Sequence, residues 1–330
     1  MQILDIFNPQ ISVVAHGLEG KVILLYGGNS TGKTYQAVRM DKPYVLACES
    51  GLNGQNGIPF ANIKTWSDFV NVVGQLTNPA TVDKAKELYS TIIIDEVYAS
   101  AQFCQTYICN KYGVSSVDEG KGGYGLWKQY ETEYWKAVNM IVSSGYTVVF
   151  IAHVSETKDG KIVPKGDKRS ITPIMDNCDI IAYLKSNGID ENGDRIHSSA
   201  YFAETDEYFA RSRFDYMVPY IEDFTCDNLR KAIQDAIEAQ EEAEGFESVS
   251  FETQKKNNEI ERVPFDKLKE DVVVLGMNFC EAGHQERLQE LIADCLGEGN
   301  SVQEATERQY ESLEILLAKL EEQKQKLGVA

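Results

Sequence analysis

The chain has 330 residues, 43% of them hydrophobic and 25% charged, and a formal net charge of −19. This composition supplies an ordinary globular core and argues against intrinsic disorder. So negative a surface also argues against a protein that coats nucleic acid with its whole exterior, since phosphate binding needs local positive charge. Residues 226–330 carry 24 acidic and 12 basic side chains, so most of the negative excess sits in the last third. The N-terminus lacks a basic stretch followed by an apolar run, and no segment approaches about eighteen uninterrupted apolar residues. Secretion and membrane spanning are therefore not expected, and the expected location is cytoplasmic. The seven cysteines are scattered and form no C-x-x-C pair, so they read as reduced core thiols rather than a disulfide frame or a zinc site.

In chain order, Lys21–Tyr26 is a short apolar run that ends at glycines, and Lys33–Met40 continues with helix-compatible residues. Further apolar, β-rich runs at Tyr44–Ala47, Thr91–Ile94, Thr147–Ala152 and Ile180–Leu184 alternate with longer helical stretches. That alternation predicts an α/β fold with a mainly parallel sheet flanked by helices. One intervening helix carries Trp127, Tyr130, Tyr134, Val138 and Ile141 at three- and four-residue spacing, which reads as a core-facing stripe.

After Leu229–Ile237 the chain becomes polar and aperiodic. The reading is a core domain over residues 1–240, an acidic flexible linker over 241–265 and a small acidic α-helical module over 266–330. In that module Leu288, Leu291, Ile292, Cys295 and Leu296 mark one amphipathic helix, stopped at Gly297. A second is predicted to begin at Ser301, with a capping box to Glu304, and to present Tyr310, Leu313, Leu317 and Leu320; the two would pair as a hairpin.

The run Gly27-Gly28-Asn29-Ser30-Thr31-Gly32-Lys33-Thr34 satisfies G-x-x-x-x-G-K-[ST] between a strand and a helix. Glycines in this pattern let backbone N–H groups curl around phosphate oxygens. Lys33 would reach the β- and γ-phosphates of ATP, and Thr34 would offer its hydroxyl to Mg²⁺. Thr91-Ile-Ile-Ile-Asp95-Glu96 is an apolar strand ending in two carboxylates, a Walker B-like element in which Asp95 would hold the magnesium through water. Hydrolysis also needs a carboxylate beside the attacking water, and both Glu96 and Glu49, in the segment Val45–Gly51, are placed to serve. The predicted activity is that of an ATPase.

The ordered set of segments resembles the RecA-like ATPases that phages encode for recombination, especially the Sak-type ATP-dependent single-strand annealing proteins. The resemblance covers residues 20–225. It rests on the P-loop, Cys48–Leu52, Ile94–Glu96, Gly123-Tyr-Gly125, Val149–His153, Cys178–Ile180 and Phe209–Phe214. It implies a RecA-like core and tilts the choice of catalytic carboxylate to Glu49, with Glu96 in support. It also makes His153 a polar sensor of the γ-phosphate. The basic island with Lys158, Lys161, Lys165, Lys168 and Arg169 corresponds to a loop that contacts single-stranded DNA, although a solvated β-hairpin turned at Asp159-Gly160 would carry the same charges.

Arg211 and Arg213 occupy positions from which related enzymes reach a neighbour's γ-phosphate, which implies a homo-oligomer with intersubunit ATP sites. The function so implied is DNA recombination on single strands, by annealing or strand pairing. A regulatory or helicase-loader ATPase is the other reading. The acidic tail would dock on a single-strand binding protein or a helicase, regulate DNA access by mimicking its charge, mediate self-association, or serve only as a solubilising appendage.

Overall fold

The apolar runs become neighbouring strands of one sheet. The computed structural model describes residues 7, 9–119, 124–258 and 262–329. In it β1 (Val22–Gly27), β2 (Pro43–Ala47), β3 (Phe60–Asn62), β4 (Thr91–Asp95) and β5 (Thr147–Ala152) are parallel. A small antiparallel pair, β6 (Val154–Glu156) and β7 (Ile162–Pro164), follows at once. The sheet resumes with β8 (Ile180–Lys185), parallel to β1, and adds β9 (Ser199–Tyr201), β10 (Arg211–Ser212) and β11 (Tyr220–Ile221) as antiparallel additions. The order is β11-β9-β8-β1-β5-β4-β2-β3, with β10 on β8.

β1 lies in the middle, and all six of its residues are buried, because both faces of the sheet are covered. Val22, Leu24 and Tyr26 point into one apolar cluster; Ile23 and Leu25 point into the other. The first cluster is closed by α2 (Trp66–Thr77), α4 (Val97–Tyr112) and α5 (Trp127–Val142); α1 (Lys33–Ala37) precedes α2 in the chain, and α3 (Val82–Leu88) lies between α2 and α4. Capping explains where these helices begin. Thr65 and Asp68 form a reciprocal capping box at α2, and the Glu96 carboxylate caps α4. Tyr130, Tyr134, Val138 and Ile141 are each at most 1% exposed, so the aromatic stripe of α5 is core.

α6 (Lys168–Asn177) leads into β8, and α7 (Cys226–Glu244) covers the second face with Leu229, Ile233 and Ile237. The helix that follows the P-loop is shorter than its sequence suggests. It ends at Ala37, with Val38 as its C-cap, and a short stretch of turn leads to β2 at Pro43.

The boundary expected at residue 240 is corrected. The first compact unit runs from Ser12 to Asn257. α7 continues to Glu244, where Gly245 closes it in the left-handed conformation, and Val249 then bridges to Ala15. α8 (Phe251–Asn258) follows, with Gln254 donating to the Val13 carbonyl. Backbone pairing thus ties down much of the stretch read as a linker.

The second unit takes in the chain from Asn258 onward, together with the described residues up to Ile11. It contains three helices among the described residues, α9 (Phe265–Glu281), α10 (Gln285–Leu296) and α11 (Tyr310–Leu327), rather than a hairpin of two. Leu268, Val272 and Phe279 of α9 pack with Leu291 and with Leu313, Leu317 and Leu320. α10 stops at Gly297 as expected, but α11 starts at Tyr310. The Ser301 hydroxyl bonds the Glu304 carboxylate and leaves the backbone uncapped, whereas Thr306 and Gln309 pair just before the helix. Five cysteines are buried; Cys280 is exposed and Cys295 half-buried, so those two are not core thiols. All seven are free.

Candidate nucleotide site

β1 delivers Gly27–Thr34 to the carboxyl edge of the sheet. A side chain at Gly27 would place its Cβ 2.5 Å from the Leu184 carbonyl oxygen, and Gly32 has φ +83°, so glycine is required at both. The Thr31 hydroxyl donates to the Gly28 carbonyl, and the Lys33 ammonium donates to the carbonyls of Gly27 and Gly28 at 3.0 and 2.7 Å. Burial lowers the pKa of Lys33, and the charges of Asp95, Glu96 and Glu49 oppose that shift. The buried cation therefore rests on loop carbonyls that a phosphate group would outcompete.

β4 ends beside this loop. The Thr34 hydroxyl donates to Asp95 Oδ2 at 2.8 Å. Burial raises the Asp95 pKa, with the Thr34 bond opposing it. Two hard oxygen donors side by side next to a P-loop fit Mg²⁺. Gly51 gives them room, since a Cβ there would lie 2.8 Å from Asp95 Oδ2. The backbone N–H groups of Cys48 and Glu49 donate to the Asp95 carbonyl at 2.6 and 3.2 Å, which fixes the end of β2 over the end of β4.

Both candidate carboxylates and the histidine meet here. Glu49 Oε2 lies 3.3 Å from His153 Nε2, and one ligand atom each from Glu49, Glu96 and His153 falls within 4.8 Å of the others. The two glutamates differ in their commitments. Glu96 is 1% exposed and accepts from the N–H groups of Tyr98 and Ala99 at 3.3 and 3.0 Å. Burial and then the Glu49 charge raise its pKa. The Glu49 side chain is 43% exposed. The Asp95–Glu96 peptide is cis.

Glu49, Asp95 and His153 line a cleft of about 460 Å³, which continues past Tyr35 and Gln36 to Arg195, Ile196, His197 and Phe224. Arg195 donates to the Ser30 carbonyl at 3.4 Å. Sequence reading missed it, because a lone arginine in a polar loop carries no motif.

The basic island begins in an antiparallel hairpin, the alternative noted for it, with Gly160 at φ +84° in its turn, and ends at Lys168 and Arg169 in α6. Three of its five cations already have partners. Lys161 pairs with Glu204 at 2.5 Å, Lys165 sits 4.4 Å above the Tyr98 ring and Arg169 4.6 Å above Trp127. Lys158 and Lys168 are exposed. The hairpin is also tied to the site, because it starts directly after His153 and the Lys165 N–H donates to the His153 carbonyl. Gly123, part of the family-like glycine segment, lies outside the described residues.

Arg211 and Arg213 stand apart from this chain's own P-loop. β10 pairs with Ile180 and Ile181, at the amino end of β8, while Gly27 pairs with Leu184 at its other end. Arg211 is half-buried and donates to the carbonyls of Met175 and Cys178; Arg213 is exposed and binds the Asp176 carbonyl and Asp179. Neither arginine joins the nucleotide site of its own chain.

The parallel sheet, the phosphate loop after its central strand and the acidic end of β4 define a P-loop domain of the AAA class. The AAA domain family matches residues 19–214, and the chain belongs to it. The chain is also 49% identical over 319 residues to the SPbeta prophage-derived uncharacterized protein YorG of Bacillus subtilis (strain 168), across 97% of this chain and 98% of that protein. Among the described residues, no helix is long and apolar enough to cross a membrane.

Proposed function

We propose that the protein is a phage-type ATPase that hydrolyses Mg²⁺·ATP and couples turnover to single-stranded DNA, in annealing or strand pairing. The observation that carries hydrolysis is the Glu49–His153 contact on the open side of the P-loop, opposite Lys33 and the Thr34–Asp95 pair. Glu49 is the carboxylate that takes the proton of the attacking water. It is exposed and, among the described residues, no backbone N–H group donates to its oxygens, whereas those of Glu96 are held by α4. His153 orients Glu49 and senses the γ-phosphate. Mg²⁺ would be held at Thr34 and Asp95 and would neutralise phosphate charge there.

DNA coupling is supported by the position of the cationic hairpin, one residue from His153 and hydrogen-bonded to its carbonyl. Lys158 and Lys168 contact phosphates directly in this reading. Lys161, Lys165 and Arg169 exchange their present partners for phosphates on DNA binding. The site is completed in trans by Arg213 of a neighbouring copy, with Arg211 bracing the strand that presents it. The acidic helical unit docks a single-strand binding protein or a helicase.

Steady-state ATPase with and without single-stranded DNA tests this. Turnover should rise with DNA, and Lys158→Ala with Lys168→Ala should weaken DNA binding and flatten its salt dependence. ATP turnover indifferent to DNA would favour the second reading, a loader acting on a protein partner, which the three occupied cations and the acidic surface support. Absence of nucleotide binding would sink both.

A further inference from the structure

The connection between β8 and β9 has no part in the chemistry above, yet it forms one wall of the nucleotide cleft. It is built as a rigid strap. Ile189 and Arg195 face each other as a β-bridge, the Ile196 N–H donates to the Gly188 carbonyl, and the Asp190 N–H donates to the Asp194 carbonyl. Asp190 Oδ1 closes the tip by accepting from the N–H groups of Asn192 and Asp194 at 2.9 and 2.8 Å. The returning limb is stapled to the body. Asn187 donates to the carbonyls of His197 and Glu222, the Phe224 N–H donates to the Ser198 carbonyl, and His197 Nδ1 lies 2.6 Å from Asp223. The Cys226 N–H, one turn of chain further, donates to Gln36 Oε1 and so joins this wall to the P-loop helix.

Two side chains on the limb have no structural duty that accounts for them. Arg195 is exposed, and among the described residues no carboxylate pairs with its side chain, whose one polar contact there is the Ser30 carbonyl, in the middle of the phosphate loop. Ile196 is 42% exposed and faces the same cleft, beside the buried Phe224 ring. A triphosphate seated on Gly27–Thr34 directs its terminal phosphate to Lys33 and Asp95. Its nucleoside must then leave toward the other end of the cleft, where Tyr35, Ile196 and Phe224 lie.

Resting on the ATP-binding reading above, we propose that residues 195–198 form a nucleotide clamp within the same chain: Arg195 binds the phosphate chain, and Ile196 with Phe224 forms the apolar seat of the nucleobase. A guanidinium on a phosphate oxygen is a charge-assisted, bidentate interaction, stronger than its present long contact to a neutral carbonyl. A planar base covering Ile196 removes exposed apolar surface from water. The clamp also supplies a second cation to the phosphates without a neighbouring copy, so nucleotide can be held by a single subunit.

The test is calorimetric titration of the full chain with Mg²⁺·AMP-PNP and, separately, with Mg²⁺·tripolyphosphate, which has the phosphates and no nucleoside. Arg195→Ala should weaken both ligands by about tenfold or more, with partial recovery in Arg195→Lys. Ile196→Ala should weaken AMP-PNP severalfold and leave tripolyphosphate unchanged. Lys33→Ala serves as the reference. If the unaltered protein binds neither ligand, or Lys33→Ala binds both normally, the ATP-binding reading itself fails. If Lys33→Ala loses both ligands while Arg195→Ala and Ile196→Ala bind like the unaltered chain, the clamp alone is overturned. Equal weakening of both ligands by Ile196→Ala would also overturn the base seat.

Discussion

Two lysines bracket the central strand in nearly equal surroundings. Lys21, just before β1, is 7% exposed; Lys33, in the P-loop that follows β1, is 6% exposed; burial lowers the pKa of both. Each donates to backbone carbonyls, Lys21 to Ala15 at 2.9 Å and Lys33 to Gly27 and Gly28. What differs is the space around the acceptors. Ala15 is 2% exposed and bridged to Val249, so the first ammonium is sealed in place. The acceptors of Lys33 belong to a loop that opens onto the cleft. A buried ammonium with a permanent carbonyl partner is structural. One whose carbonyl partners can be traded for an anion is a binding group.

The sharpest test of that comparison is Lys33→Ala, which should reduce ATP turnover to background, at least a hundredfold, while the melting temperature moves by only a few degrees. Glu49→Gln should come next, lowering kcat by about a hundredfold in a steady-state assay and leaving AMP-PNP affinity within about twofold. An equal loss in affinity would show that Glu49 holds nucleotide rather than water. Gly51→Ala pushes a methyl against Asp95 Oδ2, so the Mg²⁺ concentration for half-maximal turnover should rise about tenfold.

At the sealed end, Lys21→Met should cost about 1–2 kcal/mol, because the Ala15 carbonyl loses its donor, and thermal melting should drop by ~2–8 °C with nucleotide affinity intact. A loss of nucleotide affinity there would break the comparison.

The smallest effect is a gain. Glu96→Gln keeps an acceptor for the α4 cap and removes a buried charge, so the metal-free protein should be stabilised by about 1 kcal/mol, or ~2–4 °C, at neutral pH. Its sign follows from the raised pKa. The folded state holds the Glu96 proton more tightly than the unfolded chain does, so the contribution is favourable at low pH and lost as pH rises through the folded pKa. The advantage of glutamine should therefore shrink as the melts are taken down through the carboxylate range.

Much of the site was legible in the sequence because its parts are local. A phosphate loop is eight consecutive residues whose backbone amides do the binding, and buried parallel strands are continuous apolar runs, so neither needs knowledge of distant partners. The α9 helix was missed because Val272-Val-Val-Leu275 shows no helical period until Leu268 and Phe279 are seen on the same packed face. The domain boundary was misplaced because the chain turns polar after Ile237, and the segment from Val249 into α8 is held to the core by Val13, Val14 and Ala15, more than two hundred residues earlier.

Fold class, the phosphate loop and the acidic end of β4 can be read from the linear chain. Their surroundings come from the packing of strands and helices. Pairing of Ala47 with Asp95 in β2 and β4 carried Glu49 to His153, and helix capping withdrew Glu96 from free use. Register along β8 sent Arg211 and Arg213 to the far edge and left Arg195 at the near one. The physical reason is that a charge's role depends on what lies within a few ångströms of it, and for residues far apart in the chain only the strand order and register set that distance.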